Sequence, residues 1–271
     1  MLAVAMPVLF VITLWWFSTG AVLWLARGRR EDVPAKLLGL TVLAAFGFAA
    51  AAASANSSAA WAPYLGFVAA LAIWAWAEFT FLTGLVTGPR TKACPQGVSE
   101  GERFRLAFRT ISRHEVALLI ALGGVVLITH SGVDKTALLT FATLWVMRVS
   151  AKLTIFSGVP ALSRDMMPKR IAHMESYFRS DRIGPVFWVA TTLSTVALVA
   201  AIVALASGWV PAAFHVTGVI VTTLVGLAAF EHWMMILPVR ETALWQWAMT
   251  KETLKEGHGP LLTETKLPRL N

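Results

Sequence analysis

LAVAMPVLFVITLWWFSTGAVLWLARGRR, residues 2–30, runs for twenty-five residues without a charge and then places three arginines within four positions. At 1.5 Å of rise per residue the uncharged run makes a helix of about 38 Å, more than the ~30 Å that a hydrocarbon core demands. The stretch therefore reads as a transmembrane helix with positive charge fixed at its far end. Working outward, apolar stretches recur at 35–53, 61–87, 115–131, 136–157, 184–207 and 211–237, which gives seven spans. Basic residues collect in alternate connections. They are Arg27, Arg29, Arg30 and Lys36 after the first span, and Arg90, Lys92, Arg103, Arg105, Arg109 and Arg113 after the third. Arg148, Lys152, Arg164, Lys169, Arg170, Arg179 and Arg182 end and follow the fifth, and Arg240, Lys251, Lys255, Lys266 and Arg269 follow the seventh. Only Lys135 of the 23 Lys and Arg residues falls on the other side. The positive-inside rule then sets the N-terminus outside and the C-terminus in the cytoplasm. The expected fold class is an all-α, polytopic membrane bundle of seven transmembrane helices.

Composition agrees, with 57% hydrophobic and 14% charged residues and a net charge of +8 carried by these connections. A sequence pI near 10.2 invites a nucleic-acid reading. Basic residues confined to juxtamembrane connections are instead accounted for by topology and anionic lipid, so the lipid membrane is the expected partner and nucleic acid is not. The first span has no positive segment before it and is longer than a signal core, which makes it a retained span. Cys94, the single cysteine, lies in a cytoplasmic connection and allows no intramolecular disulfide; a reactive or lipidated thiol is the alternative.

The spans form one unit over residues 1–249, followed by a tail at 250–271 that reads as mobile. The outer connections, Ser54–Ala60, Ser131–Lys135 and Ser207–Val210, are short and nearly uncharged. Two cytoplasmic connections, 88–114 and 158–183, are longer than a simple helix-to-helix loop. In the first, Phe104, Phe108 and Ile111 share one side, with arginines on the others; in the second, Met167, Ile171, Met174 and Phe178 do so. Both read as basic amphipathic helices lying on the inner membrane surface. Leu244, Trp245 and Trp247 read as an interfacial anchor. Most tryptophans sit near span ends, but Trp74 and Trp76 lie deeper, beside Glu78, where they would line a ligand or helix interface.

Ionisable groups inside spans are costly and must face the bundle interior. Glu78, Arg148, Lys152, Glu231 and His232 fall in the cytoplasmic halves of spans three, five and seven, and His114 and Glu115 start span four at a similar level. Arg148 and Lys152, four apart, share a helix face. The seven residues predict one polar cluster under the inner leaflet, serving either as helix-to-helix ion pairs or as a ligand or catalytic site. No metal site is read from it. His114-Glu115 and Glu231-His232 are adjacent, about 100° apart on a helix, unlike the one-face Glu-x-x-His spacing of helical di-iron proteins. A neutral imidazole within a span can also ligate a tetrapyrrole metal, and His232, His130 and His215 are the candidates, each against the alternative of a hydrogen-bonded interhelical histidine. No Walker loop, Cys-x-x-Cys-His or Gly-x-Ser-x-Gly elbow is present.

Several of these same residues carry a family resemblance. Trp76-Ala77-Glu78 through Phe81, Gly84 to Gly88-Pro89-Arg90, Cys94-Pro95, Arg103-Phe104 and His114-Glu115 are followed in order by Lys152-Leu153, Gly158-Val159-Pro160, Glu231-His232-Trp233, Leu237-Pro238 and Ala243-Leu244-Trp245. The chain resembles, over most of residues 1–250, the PuhE family of photosynthetic complex assembly proteins of purple phototrophic bacteria, encoded beside the gene for the reaction-centre H subunit. The resemblance implies an inner-membrane protein that helps photosynthetic complexes assemble and modulates bacteriochlorophyll production. Its implied partners are reaction-centre, light-harvesting or pigment-synthesis proteins; the cofactor stays unknown, with bound bacteriochlorophyll or a precursor as an open alternative. It supplies no catalytic or pigment-binding residues and leans away from an enzyme. Two other classes stay open: a membrane enzyme of pigment or lipid metabolism using the inner-leaflet Glu/His/Arg cluster, and a small-molecule transporter.

Overall fold

The computed structural model describes residues 2–160, 167–237 and 241–248. Seven helices, each long and apolar enough to cross a bilayer, make up the described fold: α1 (Leu2–Arg27), α2 (Val33–Ala55), α3 (Ala62–Leu82), α4 (Glu100–Thr129), α5 (Thr136–Ser157), α6 (Pro185–Ala206) and α7 (His215–Met234). Short 3-10 helices add Arg30–Asp32, Lys169–Tyr177, Ala212–Phe214 and Glu241–Ala248. No strand occurs among the described residues.

Helix ends follow local chemistry. Proline opens α2, α3 and α6 in the first turn, where its missing N–H is not needed. Ser99 caps α4 by accepting from the Glu102 N–H at 3.3 Å, with Glu100 and Glu102 adding negative charge to the first turn. α3 ends at Leu82, five residues short of the expected boundary at 87, because Gly84 turns left-handed (φ 79°) and releases the chain into a loop.

α2 and α3 pack most closely. Gly47 and Gly66 bring the backbones together, since a Cβ on Gly47 would stand 3.0 Å from the Ala69 carbonyl oxygen. A central cluster of Ala51, Ala70, Ile73, Leu118, Val125 and Phe141 joins α2, α3, α4 and α5. A second, of Val11, Phe67, Ile220 and Leu224, joins α1, α3 and α7. Threonines 80, 110, 129, 140, 154, 191 and 217 are buried between helices, where small side chains permit close approach.

The connections at the basic end differ from the surface helices expected. Residues 100–113 continue into α4 without a break, so the first amphipathic segment is an extension of a span. Its exposed side carries Phe104 and Phe108, while Arg103, Leu106 and Thr110 are buried. The second segment is a 3-10 helix, and three residues per turn align Ile171, Met174 and Tyr177, all buried against the bundle rather than laid on lipid. Leu244, Trp245 and Trp247 likewise do not form a free interfacial anchor. Their 3-10 helix docks on α1, where the Trp16 indole donates to the Leu244 carbonyl (2.8 Å) and the Trp245 indole to that of Trp16 (3.0 Å). Gly20 makes the seat, because a Cβ there would lie 2.1 Å from the Trp247 ring. The tail 250–271, and with it the expectation of mobility, lies outside the described residues, as do Arg164 and Arg240.

Candidate functional site

Four helices bring the charged residues together. Arg148 on α5 reaches Glu78 on α3 (Nε to Oε1, 3.8 Å) and Glu231 on α7 (Nη1 to Oε1, 3.5 Å). One turn further along α5, Lys152 pairs with Glu115 of α4 at 2.6 Å. The four-residue spacing thus sends two cations from one face of α5 to three carboxylates on three other helices. The Glu78 side chain is 12% exposed, and its Oε1 has no hydrogen-bond partner among the described residues.

The histidines separate by environment. His114 is fully buried and lies 4.4 Å from the Phe81 ring, and neither ring nitrogen has a hydrogen-bond partner among the described residues. His232 is buried as well, but its Nδ1 lies 2.8 Å from the Ala228 carbonyl and its Nε2 2.9 Å from the Ser150 hydroxyl. Donation from Nδ1–H leaves Nε2 to accept from Ser150, so both nitrogens are used within the bundle. His130 is exposed and lies 2.8 Å from the Leu127 carbonyl through Nδ1. His215 starts α7 at the opposite end and lines an apolar groove of about 540 Å³ between α1, α6 and α7. Among the described residues no group of three or more His, Cys, Asp or Glu side chains could hold a metal ion.

A cavity of about 340 Å³ lies beside the cluster, with Glu78, Arg148 and Glu231 on its wall. Trp15, Trp74, Phe81 and Met147 line its body. Met167, Ile171 and Phe178 close the basic end, and Leu244 and Trp245 close the α1 side. Trp74 and Trp76 take the two roles open to them: Trp74 faces the cavity, whereas the Trp76 indole donates to the Thr41 hydroxyl of α2 (3.0 Å). A volume of this size with a few polar groups on an apolar wall is the usual form of a small-molecule site.

Two polar centres escape sequence reasoning. Arg103, 7% exposed, ties the basic-end connections together. It donates to the Phe156 carbonyl through both terminal nitrogens (3.1 Å each), to the Tyr177 carbonyl and to Glu100 (2.8 Å), and lies 3.8 Å over the Phe156 ring. Arg90 donates to the Tyr177 hydroxyl, which itself donates to the Lys92 carbonyl (2.9 Å); the Cys94 N–H donates to Ser176 (2.8 Å). At the opposite end Asp134, 7% exposed, accepts from Thr136 (hydroxyl 2.6 Å, N–H 3.1 Å) and from Ser54 (2.7 Å), while Thr136 and Thr217 hydroxyls lie 2.6 Å apart. The signal for Asp134 is the Asp-x-Thr pattern just before α5, where the carboxylate accepts from the Thr136 N–H and hydroxyl; for Arg103 it is the Arg103-Phe104 pair of the resemblance, which says nothing of its partners.

No solved structure matches this chain. An uncharacterized 30.4 kDa protein of Rhodobacter capsulatus, described as lying in the puhA 5′ region, is 38% identical over 251 residues, covering 91% of this chain and 90% of the relative. A family described as a protein of unknown function, DUF3623, matches residues 1–256. With nearly the whole chain matched by that family and by a relative of its own length, the protein belongs to the DUF3623 family.

Proposed function

We propose that the chain is an integral membrane factor, of the PuhE kind, for assembly of the bacterial photosynthetic complex and modulation of bacteriochlorophyll production. The observation that carries this is a relative covering nine-tenths of both chains and described by its place in the puhA 5′ region, which agrees with the gene neighbourhood implied by the resemblance. The seven apolar helices supply the membrane location. In the proposed orientation the Arg- and Lys-rich end faces the cytoplasm of a phototroph. There its cap, held by Arg90, Arg103 and Tyr177, offers basic side chains to anionic lipid and to an acidic partner surface. The cavity beside Glu78, Arg148 and Glu231 is its candidate ligand site. Cross-linking in phototrophically grown cells, followed by purification in mild detergent, tests the role. Reaction-centre, light-harvesting or pigment-synthesis proteins are expected to co-purify, and recovery free of all of them contradicts it.

His114 favours a second reading, a membrane enzyme of pigment or lipid metabolism. A fully buried imidazole with both nitrogens unpartnered among the described residues is costly, and enzymes tolerate such cost where a proton is moved. A His114→Gln protein that restores normal pigment and complex levels to a deletion strain removes this reading.

A further inference from the structure

Among the described residues, the charges on the cavity wall do not balance. There Glu78 and Glu231 face one guanidinium, that of Arg148, which leaves one carboxylate in excess, while Glu115 and Lys152 neutralise each other at 2.6 Å. Arg148 stands 3.8 Å from Glu78 and 3.5 Å from Glu231, beyond the roughly 2.7–2.9 Å of a tight ionic hydrogen bond. Glu78 Oε1, buried and without a hydrogen-bond partner among the described residues, belongs to this wall. The rings of Trp15, Trp74 and Trp245 also line the cavity, and aromatic rings of this kind attract positive charge to their faces. In a low-dielectric interior both features favour a cation over an anion of the same shape.

We propose that this cavity binds an apolar organic cation, with the positive centre between Glu78 and Glu231 and the apolar body against the tryptophans. The proposal rests on the reading of the cavity as the functional site. It adds the charge class of the ligand and places recognition on carboxylates rather than on a histidine.

Tetraphenylphosphonium and tetraphenylborate have one shape and opposite charge, so the pair isolates the electrostatic part. Equilibrium dialysis of the full chain in mild detergent is expected to show one phosphonium bound per protein and no saturable borate site. Glu78→Gln and, separately, Glu231→Gln are each expected to weaken phosphonium binding about tenfold or more, the loss of one charge contact. Thermal midpoints measured alongside confirm that at least one variant is folded. Equal binding of the two ions, or phosphonium binding indifferent to both variants, overturns the proposal. If protein from phototrophic cells carries photosynthetic partners or pigment but its emptied cavity binds neither ion, the cation inference falls and the functional reading stands. Charge-selective binding by a protein that has neither partners nor pigment is the converse result.

Discussion

Arg103 and Arg105 stand two residues apart in the same basic stretch, yet their replacement by leucine is expected to have very different costs. Arg105 pairs with Glu102 at 2.7 Å with both side chains well exposed, 63% and 37%. An ion pair of that kind contributes about 0–1 kcal/mol. Arg103 is 7% exposed and holds the Phe156 and Tyr177 carbonyls and Glu100, three acceptors on three segments. Removing it strips charge-assisted bonds from buried carbonyls and breaks the attachment of the Lys169–Tyr177 helix to the ends of α4 and α5, for a combined cost of about 3–5 kcal/mol. The chain supplies its own reporter, because Cys94, the only cysteine, lies in the same cap with its N–H bonded to Ser176. In mild detergent Arg103→Leu is expected to lower the thermal midpoint by roughly 10 °C, at about 2–4 °C per kcal/mol for a chain of this size. Maleimide labelling of Cys94 should accelerate before global unfolding, and Arg105→Leu should do neither. Equal behaviour of the two variants would refute the view that a buried arginine organises this end.

At the opposite end, Asp134→Ala leaves the Thr136 N–H without its acceptor and shifts the Ser54 and Thr136 hydroxyls onto the Ala62 carbonyl (2.9 Å) and the Thr217 hydroxyl (2.6 Å), so a loss of about 1–2 kcal/mol is expected, read as the unfolding midpoint by tryptophan fluorescence. Gly88→Ala places a methyl 2.0 Å from the Arg109 carbonyl oxygen and 2.5 Å from the Thr110 carbonyl carbon, so the loop cannot stay against α4; folded yield should fall sharply, and an unchanged yield would mean that this close approach is wrong. His173, in the connection between α5 and α6, has its pKa lowered by burial and by the Arg90 charge, against an opposing hydrogen bond to the Arg90 backbone. The unfolded chain then takes up the proton at higher pH than the folded one, so stability is full above about pH 6.5 and declines as pH falls below it. His173→Gln is expected to flatten the pH dependence of the midpoint between pH 7.5 and 5.5, and an identical slope would place the titration elsewhere.

The seven spans were legible because hydropathy and charge asymmetry are long-range signals that no local packing can reverse. That Arg148 and Lys152 meet carboxylates of the other spans was legible for a related reason, since charges in spans must find partners and a four-residue spacing puts both on one face, but the choice of Glu115 by Lys152 was not. The Arg103 segment was legible only in part, because it continues α4 and has a third, inward side that the two-sided pattern of phenylalanine and arginine does not show. Phe104 and Phe108 form the expected exposed apolar side, with Arg105, Arg109 and Arg113 also exposed, but a third side carrying Arg103, Leu106 and Thr110 is buried against the bundle. Leu85 and Val86 extended the third apolar stretch past the point where Gly84 turns the backbone, so hydropathy outran the helix. The partners of His232 could not be read at all, since a serine on another helix carries no sequence mark that points to it. Asp134 hid in a loop that looked nearly neutral, where a single carboxylate gathers hydroxyls from α2, α5 and α7.

The most direct test of the account is deletion of the gene in a phototrophic host, read as whole-cell absorption spectra before and after the wild-type gene is restored. The account predicts that the reaction-centre and light-harvesting bands and total bacteriochlorophyll fall in the deletion strain and return on complementation. Bands unchanged by the deletion would contradict the proposed role of this membrane protein in assembling the photosynthetic complex.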